Sequence, residues 1–566
     1  MRKGQLVKAS QGLEIEKKYD VGNDAAVPAL DRLPGVARVA APHTDVLEAV
    51  YFDTDRHILA SRRITLRRRT GGTDAGWHLK LPPLETGTTG TEPQQRRELH
   101  APLGQPGVVP DSLLVHIQAY LRGAAVAPVA RLETRRTTHA LYGEDGVHLA
   151  DLADDRVTAE RLHPGGREGS GGQQWREWEL ELVHGGPGLF APAEELLVEA
   201  GARPAGHASK LARALGGDPG GDPGNELGGA AGSPSPDAGP STDGSTPDGS
   251  IPDGSTQDAS TQDASTPDLA AGKKSPAAAV VTAYLAGQIQ EILAQDPKVR
   301  LEEPESVHDM RSAVRRIRSA LAAYRKLYAA RPVRHLRDEL KWLGQLLGGP
   351  RDAEVLLDRL RGHLGELPPG EGVDAARDLV EGKVGGAFDD GYRRLQEALR
   401  SERYFRLLDE LDAFRDTPPV RAEAVARGRR VSAKAVDKSA RRLQRSHRAA
   451  TRARRGTDHE NALHQVRKDA KRLRHVAETA ALVRGKRARK VAKAAQRQQK
   501  ILGNFHDAVI ARDLLGAVGS DTEMAAPEAA ALTALRTRQA EEMVAAEAKY
   551  RKARRKSREL LRRGVL

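Results

Sequence analysis

The chain is 566 residues long, more than one hydrophobic core usually organises, so two or more domains are expected. Its net charge of +13 is unevenly spread: −1 over residues 1–215, −10 over 216–272 and +24 over 273–566. The last segment is therefore the main electrostatic surface, and the first needs a different explanation. The lack of cysteine excludes disulfides and thiolate metal sites, and no run approaches the roughly 18 uninterrupted apolar residues of a membrane span.

The N-terminal segment MRKGQLVKASQGLEIEKKYD has no apolar core of signal-peptide length, so the expectation is a soluble cytoplasmic chain with no membrane partner. In chain order, LEIEKKYDV, ITLRRRTGG, GWHLKLP, VARLETRRTTHAL and WREWELELV alternate polar and apolar residues between turn signals. This is the period-two pattern of antiparallel strands. LLVHIQAYLRG, at 113–123, is the clearest helical pattern in this half.

Period two places Glu14, Glu16 and Lys18 on one face of the first strand and Leu13, Ile15 and Tyr19 on the other. Further strands repeat the division: Arg67 with Arg69, His78 with Lys80, Arg131 with Arg135, and Glu177 with Glu179 and Glu181. For a single strand, a solvated outer face is the ordinary explanation. A closed barrel lined by so many charges requires a highly charged ligand, because buried charges must be paired or bound to metal. A triphosphate with divalent cations meets that need: arginines grip phosphate oxygens through paired donors, and carboxylates offer hard oxygen ligands for Mg²⁺ or Mn²⁺.

The ordered series ExExK, YFDT, TLRRR, a strand lysine, ETRR, DLADD, ELEL and SK over residues 12–215 resembles the CYTH superfamily of triphosphate tunnel enzymes. The resemblance implies an eight-stranded antiparallel tunnel whose members hydrolyse inorganic triphosphate, thiamine triphosphate or polyphosphate, or cyclise ATP. Carried onto this chain, it implies Glu14, Glu16, Glu179 and Glu181 as metal ligands with Asp151 as a contributor, and Lys18, Arg67, Arg69, Lys80, Arg131, Arg135 and Lys210 as phosphate contacts. Glu14, Glu16 and Lys18 form the catalytic signature. Asp155 and Glu177 are further acidic candidates whose register period two leaves open. A Gly-rich insert occupies 164–174.

Residues 216–275 are mainly Gly, Pro, Ser, Thr and Asp, with Asp243, Asp248, Asp253, Asp258, Asp263 and Asp268 at five-residue intervals. They are expected to form a disordered acidic tether. From 276 to 566 helical spacing dominates, and the segment repeats itself, about 276–415 and 425–566. His308, Arg311, Arg315 and Arg318 recur 156 residues later as His464, Arg467, Lys471 and Arg474, and LLGGPRDA recurs as ILGNFHDA, carrying Asp352 and Asp507. Each basic set follows i, i+3, i+7, i+10, a narrow arc of one helix beside an apolar arc such as Met310, Val314, Ile317 and Leu321.

The HxxR and LGxxxD motifs resemble the CHAD domain, which implies a pair of four-helix bundles about a pseudo-twofold axis enclosing a basic, polyphosphate-binding groove. Asp352 and Asp507 would then orient the cations. Metal binding by His308 and His464 is the competing reading, weakened by the cationic neighbourhood. Nucleic acid is the alternative polyanion, less favoured because aromatics are only 4% of the chain and none interleave the basic runs.

The expected whole is thus an α+β multidomain chain: a tunnel domain over 1–215, a linker over 216–275 and a helical domain over 276–566. Its expected function is metal-dependent hydrolysis of inorganic triphosphate or short polyphosphate, with polyphosphate binding, or placement on polyphosphate granules, by the helical part. The alternatives are an adenylyl cyclase-type tunnel and a non-catalytic polyphosphate-binding protein.

Overall fold

The computed structural model describes residues 10–82, 93–162, 172–216, 274–521 and 524–563. Most of the Gly-rich insert and nearly all of the acidic segment lie outside the described residues. The described chain packs as two units, one within 10–108 and 126–216, the other comprising 109–125 and the helices from 274 onward.

The first unit is a closed antiparallel barrel of eight strands: β1 (Ser10–Asp20), β2 (His43–Asp53), β3 (Thr65–Thr70), β4 (Gly76–Lys80), β5 (Gln94–Ala101), β6 (Ala127–Tyr142), β7 (His148–Arg161) and β8 (Gln173–Leu182). Around the barrel they run β1-β5-β4-β3-β2-β6-β7-β8, and β8 returns to β1 through Glu16 opposite Glu181 and Lys18 opposite Glu179. Closure leaves none of these eight strands with a free edge. The alternation expected from sequence sets both faces. Outside, Tyr19, Leu152, Trp178 and Leu180 pack beneath α1 (Phe190–Glu199). Inside, one end of the barrel is apolar, where Tyr51, Leu132, Val157 and Trp175 meet Leu211 and Ala214 of the short α2 (Lys210–Ala214). The remainder of the interior is charged.

Two motifs act through the backbone. The buried Asp53 of YFDT accepts from the amides of Thr54, Leu59 and Ala60 at 2.7–2.9 Å, which fixes the turn leaving β2. Gly71, with φ of +80°, closes the β3–β4 turn where a Cβ would lie 2.2 Å from the carbonyl oxygen of Val46. The helical pattern at 113–123 forms two four-residue helices, Asp111–Leu114 and Gln118–Leu121, rather than one continuous helix. Chain reversal follows at Arg122 and Gly123, both at positive φ.

The second unit is helical throughout: α3 (Ala277–Arg300), α4 (Ser306–Ala323), α5 (Ala330–Leu346), α6 (Gly348–Gly365), α7 (Glu371–Val380), α8 (Gly386–Leu399), α9 (Glu402–Asp416), α10 (Gly428–Arg452), α11 (Thr457–Asp521) and α12 (Ala526–Arg563). Gly485, at φ 53° and ψ −131°, interrupts α11. Its two arms fold back on each other, so that Arg512 reaches Glu460 at 2.7 Å. Among the described residues one helix, α3, is long and apolar enough to cross a membrane. Here Val281, Leu285, Ile289 and Ile292 bury its apolar side in the helical core.

The internal repeat is visible as symmetry. Ser319 and its counterpart 156 residues on, His475, hydrogen-bond to each other at 2.9 Å. A residue touches its own repeat-mate only where a twofold-like axis passes between them.

Candidate functional site

The tunnel is a cavity of about 100 Å³ whose lining includes seven cations (Lys18, Arg67, Arg69, Lys80, Arg96, Arg136, Lys210) and six carboxylates (Glu14, Glu16, Asp74, Glu98, Glu179, Glu181). Strand register converges them: Glu14 faces Arg96, Lys80 faces Glu98, and Glu16 faces Glu181 across neighbouring strands. Of the residues expected from sequence, Glu14, Glu16, Lys18, Arg67, Arg69, Lys80, Glu179, Glu181 and Lys210 all line this cavity.

Three residues are placed elsewhere. Arg131 and Arg135 are exposed on the outer face of β6, opposite Val50 and Val46, whereas Arg136 points inward and bonds Asp155 and Glu179, at 2.6 Å in each case. The ETRR run offers adjacent arginines to opposite faces, and the inward one is the second. Asp151 shares a face with Glu181 but bonds His148 at 2.7 Å and does not line the cavity. Asp155, fully buried, takes the deeper position. Arg96, Glu98 and Asp74 were missed. The QQRRELH alternation carries the signal for the first two, while Asp74 lies in a turn that β periodicity does not reach.

The charges fall into two groups. In the first, Asp155, Glu177 and Glu179 bring carboxylate oxygens within 4.8 Å of one another, a set that could hold a metal ion. Lys210, presented at the start of α2 after the Ser209 cap, already reaches all three at 2.6–2.9 Å, and Arg136 reaches two. Burial opposes ionisation of Glu179, but Lys18, Lys210 and Arg136 hold it well below the usual carboxylate range.

In the second group, Glu14, Glu16 and Glu181 have less compensation. Burial is likewise outweighed at Glu16, which Lys18 and Lys80 hold at about 2. Burial, then the charge of Glu14, pushes Glu181 up to about 7, and burial also raises Glu14 despite Lys80 at 2.5 Å. Glu14 Oε2 is buried with no hydrogen-bonding partner among the described residues. An orphaned carboxylate oxygen beside two more carboxylates is the donor set a hard divalent cation fits. Opposite them, Arg67, Arg69 and Arg136 crowd together. Burial, reinforced by Arg67 and Arg136, brings Arg69 down to about 9, although Asp74 ion-pairs with it at the cavity mouth.

The helical unit holds a cleft of about 330 Å³ in which both repeats meet: His308, Arg311, Arg315 and Asp352 from one, Arg467, Lys471, Arg474 and Asp507 from the other. Asp352 orients Arg311 through paired bonds of 2.7 and 3.1 Å. Burial, then Arg311 and Arg467, lowers Arg315 to about 10, since neighbouring cations crowd it. Two expected members do not line the cleft. Arg318 lies a turn further along α4, near Gly344. His464 packs against His506 with ring centroids 4.2 Å apart and ring planes tilted by 41°. Burial, then His506, lowers His464 to about 4, and burial also lowers His308, so the positive charge of this cleft belongs to Arg and Lys.

A closed barrel with a charge-lined bore, followed by a helical pair with a shared basic cleft, defines a class of two-part tunnel and helical-bundle proteins. Residues 12–196 match the CYTH domain and residues 283–516 the CHAD domain. The chain is 37% identical over 524 residues to the uncharacterized protein Rv2226 of Mycobacterium tuberculosis, covering 89% of this chain and 88% of that one. Among solved structures it is similar to PptA from Streptomyces chartreusis (21% identity, TM-score 0.43, 49% of this chain and 99% of that one). It is also similar to the CHAD domain from the plant Ricinus communis (25% identity, TM-score 0.41, 52% and 94%). The chain belongs to the CYTH–CHAD proteins, and CYTH domains are metal-dependent triphosphate tunnel enzymes, triphosphatases and cyclases among them.

Proposed function

We propose that the tunnel hydrolyses inorganic triphosphate or short polyphosphate with Mg²⁺ or Mn²⁺, and that the cleft binds polyphosphate. The observation that carries the hydrolytic half is the cavity lining, in which, among the described residues, Tyr51 is the single aromatic beside thirteen charged side chains. A cyclase must also seat a nucleoside, whose base needs an apolar face. This narrow bore favours a bare phosphate chain.

Glu14, Glu16 and Glu181 would hold the cation, which when bound supplies neutralisation of phosphate-oxygen charge. Lys18, Arg67, Arg69, Lys80 and Arg136 hold the phosphoryl oxygens and fix the chain in line. A water oxygen bonds to the terminal phosphorus as the bridging P–O bond breaks. The water's proton passes to a wall carboxylate, and the shortened chain leaves with the bridging oxygen. Positioning and fixed charge provide most of the acceleration. The test is product analysis with tripolyphosphate and ATP in Mg²⁺ and Mn²⁺. Orthophosphate from tripolyphosphate is expected, and cyclic AMP as the main product would establish the cyclase instead.

The raised Glu181 has a stability consequence. In the unfolded chain it titrates near 4.5 and in the fold near 7. Between these values the folded state holds the extra proton, so stability falls as pH rises through this window, by up to about 1.4 kcal/mol per pH unit from this group. Melts of the barrel without divalent cations are expected to show that decline, and Glu181→Gln is expected to flatten it. An unchanged slope in the variant would assign the titration elsewhere.

A further inference from the structure

The two helical repeats share the cleft almost equally, but not the charge. Residues 273–427 carry a net +2 and residues 428–566 a net +22. The cleft therefore does not account for the excess, which lies on outward faces of the second repeat. On α10, Arg430, Lys434, Lys438, Arg441, Arg445 and Arg448 are all exposed at successive spacings of three or four residues. They fall within one arc about 80° wide and span 18 residues, about 27 Å. The opposite side of the helix, Ala433, Val436, Ala440 and Leu443, is buried in the bundle, so the basic ridge is fixed facing outward. Asp437 is the single carboxylate in α10, and residues 484–500 of the neighbouring α11 contain eight cations and no acid. Such self-repulsion disfavours the compact state unless a polyanion relieves it.

We infer that this face is a second polyanion site, separate from the cleft, that docks the phosphate backbone of duplex nucleic acid. The ridge is straight and borders none of the enclosed cavities described above. Its charges recur about every 5 Å, suited to a stiff partner lying alongside; a duplex offers one phosphate per about 3.4 Å on each strand and is too wide for the cleft. The exposed arc has no aromatic side chain, so stacking of single-stranded bases has no platform. Docking of this kind reads no sequence, because backbone contacts position without specifying.

The test is fluorescence anisotropy on the full chain, with a 30-base-pair duplex of arbitrary sequence and, separately, with long-chain polyphosphate, across a salt series. Lys434→Gln/Lys438→Gln/Arg441→Gln/Arg445→Gln is expected to weaken duplex binding at least tenfold and reduce its log–log salt slope by about 3.6, each of the four lost phosphate contacts being worth about 0.9. Polyphosphate binding is expected to persist in that variant. A second variant, Arg430→Gln/Arg448→Gln, is expected to show about half the loss in slope, so misfolding of the first would not decide the matter. Duplex binding unchanged in either folded variant, or a loss confined to polyphosphate, would overturn the assignment.

Discussion

Glu16→Gln is expected to lower tripolyphosphate hydrolysis by about 10²- to 10³-fold with the barrel still folded. Glu16 is 3% exposed, in register with Glu181, and bonded by Lys18 at 2.8 Å. Because Lys18 and Lys80 hold it ionised to about 2, its charge is present at any working pH, and the amide removes that charge while keeping the shape. The loss should be accompanied by weaker Mg²⁺ binding, measured by calorimetry. Lys17→Met is the matched control: it alters the next residue, which leaves the outer face of β1 to bond Glu194 at 2.7 Å, and activity should persist. Equal losses in the two variants would mean that the inward face of β1 has no special role.

Arg315→Gln combined with Arg467→Gln is expected to cost the cleft about 10²-fold or more in affinity for long-chain polyphosphate, since each charge-assisted bond contributes about 1.5–3 kcal/mol. The two guanidiniums come from different repeats yet repel each other across the cleft. Without ligand, the double variant removes the Arg315–Arg467 repulsion but also the attraction of Arg467 for Asp507 and Asp352, so its melting temperature is expected to stay close to that of the wild type. Polyphosphate should then raise the melting temperature of the wild type only. The pair His308→Asn and His464→Asn should matter far less, because both rings are disfavoured as cations by burial. Comparable losses from the histidine pair would relocate the binding determinant to the imidazoles.

The strand faces were legible wherever a segment alternates cleanly. Glu14, Glu16 and Lys18 on β1, and Glu177, Glu179 and Glu181 on β8, all turn inward as period two requires. Alternation fails where like residues are adjacent or where depth matters. In ETRR it cannot choose between Arg135 and Arg136, and in DLADD it puts Asp151 and Asp155 on one face without saying which is deeper. The helical repeat was legible for a similar reason, since helical spacing and a 156-residue offset are one-dimensional facts.

By itself, then, the sequence determined the strand-rich and helical halves, the inward carboxylates and the duplicated basic stripes, because periodicity and charge are local properties of the chain. Tertiary structure alone decided how the charges are apportioned. It set Lys210 on Asp155, Glu177 and Glu179, left Glu14 Oε2 without a partner, and turned Arg135 out and Arg136 in. It also joined Arg315 and Arg467 in one cleft while packing His464 against His506, outside the cleft lining. Coulomb energy and desolvation depend on distance and burial, and neither exists until strands far apart in sequence close the barrel and the two repeats meet.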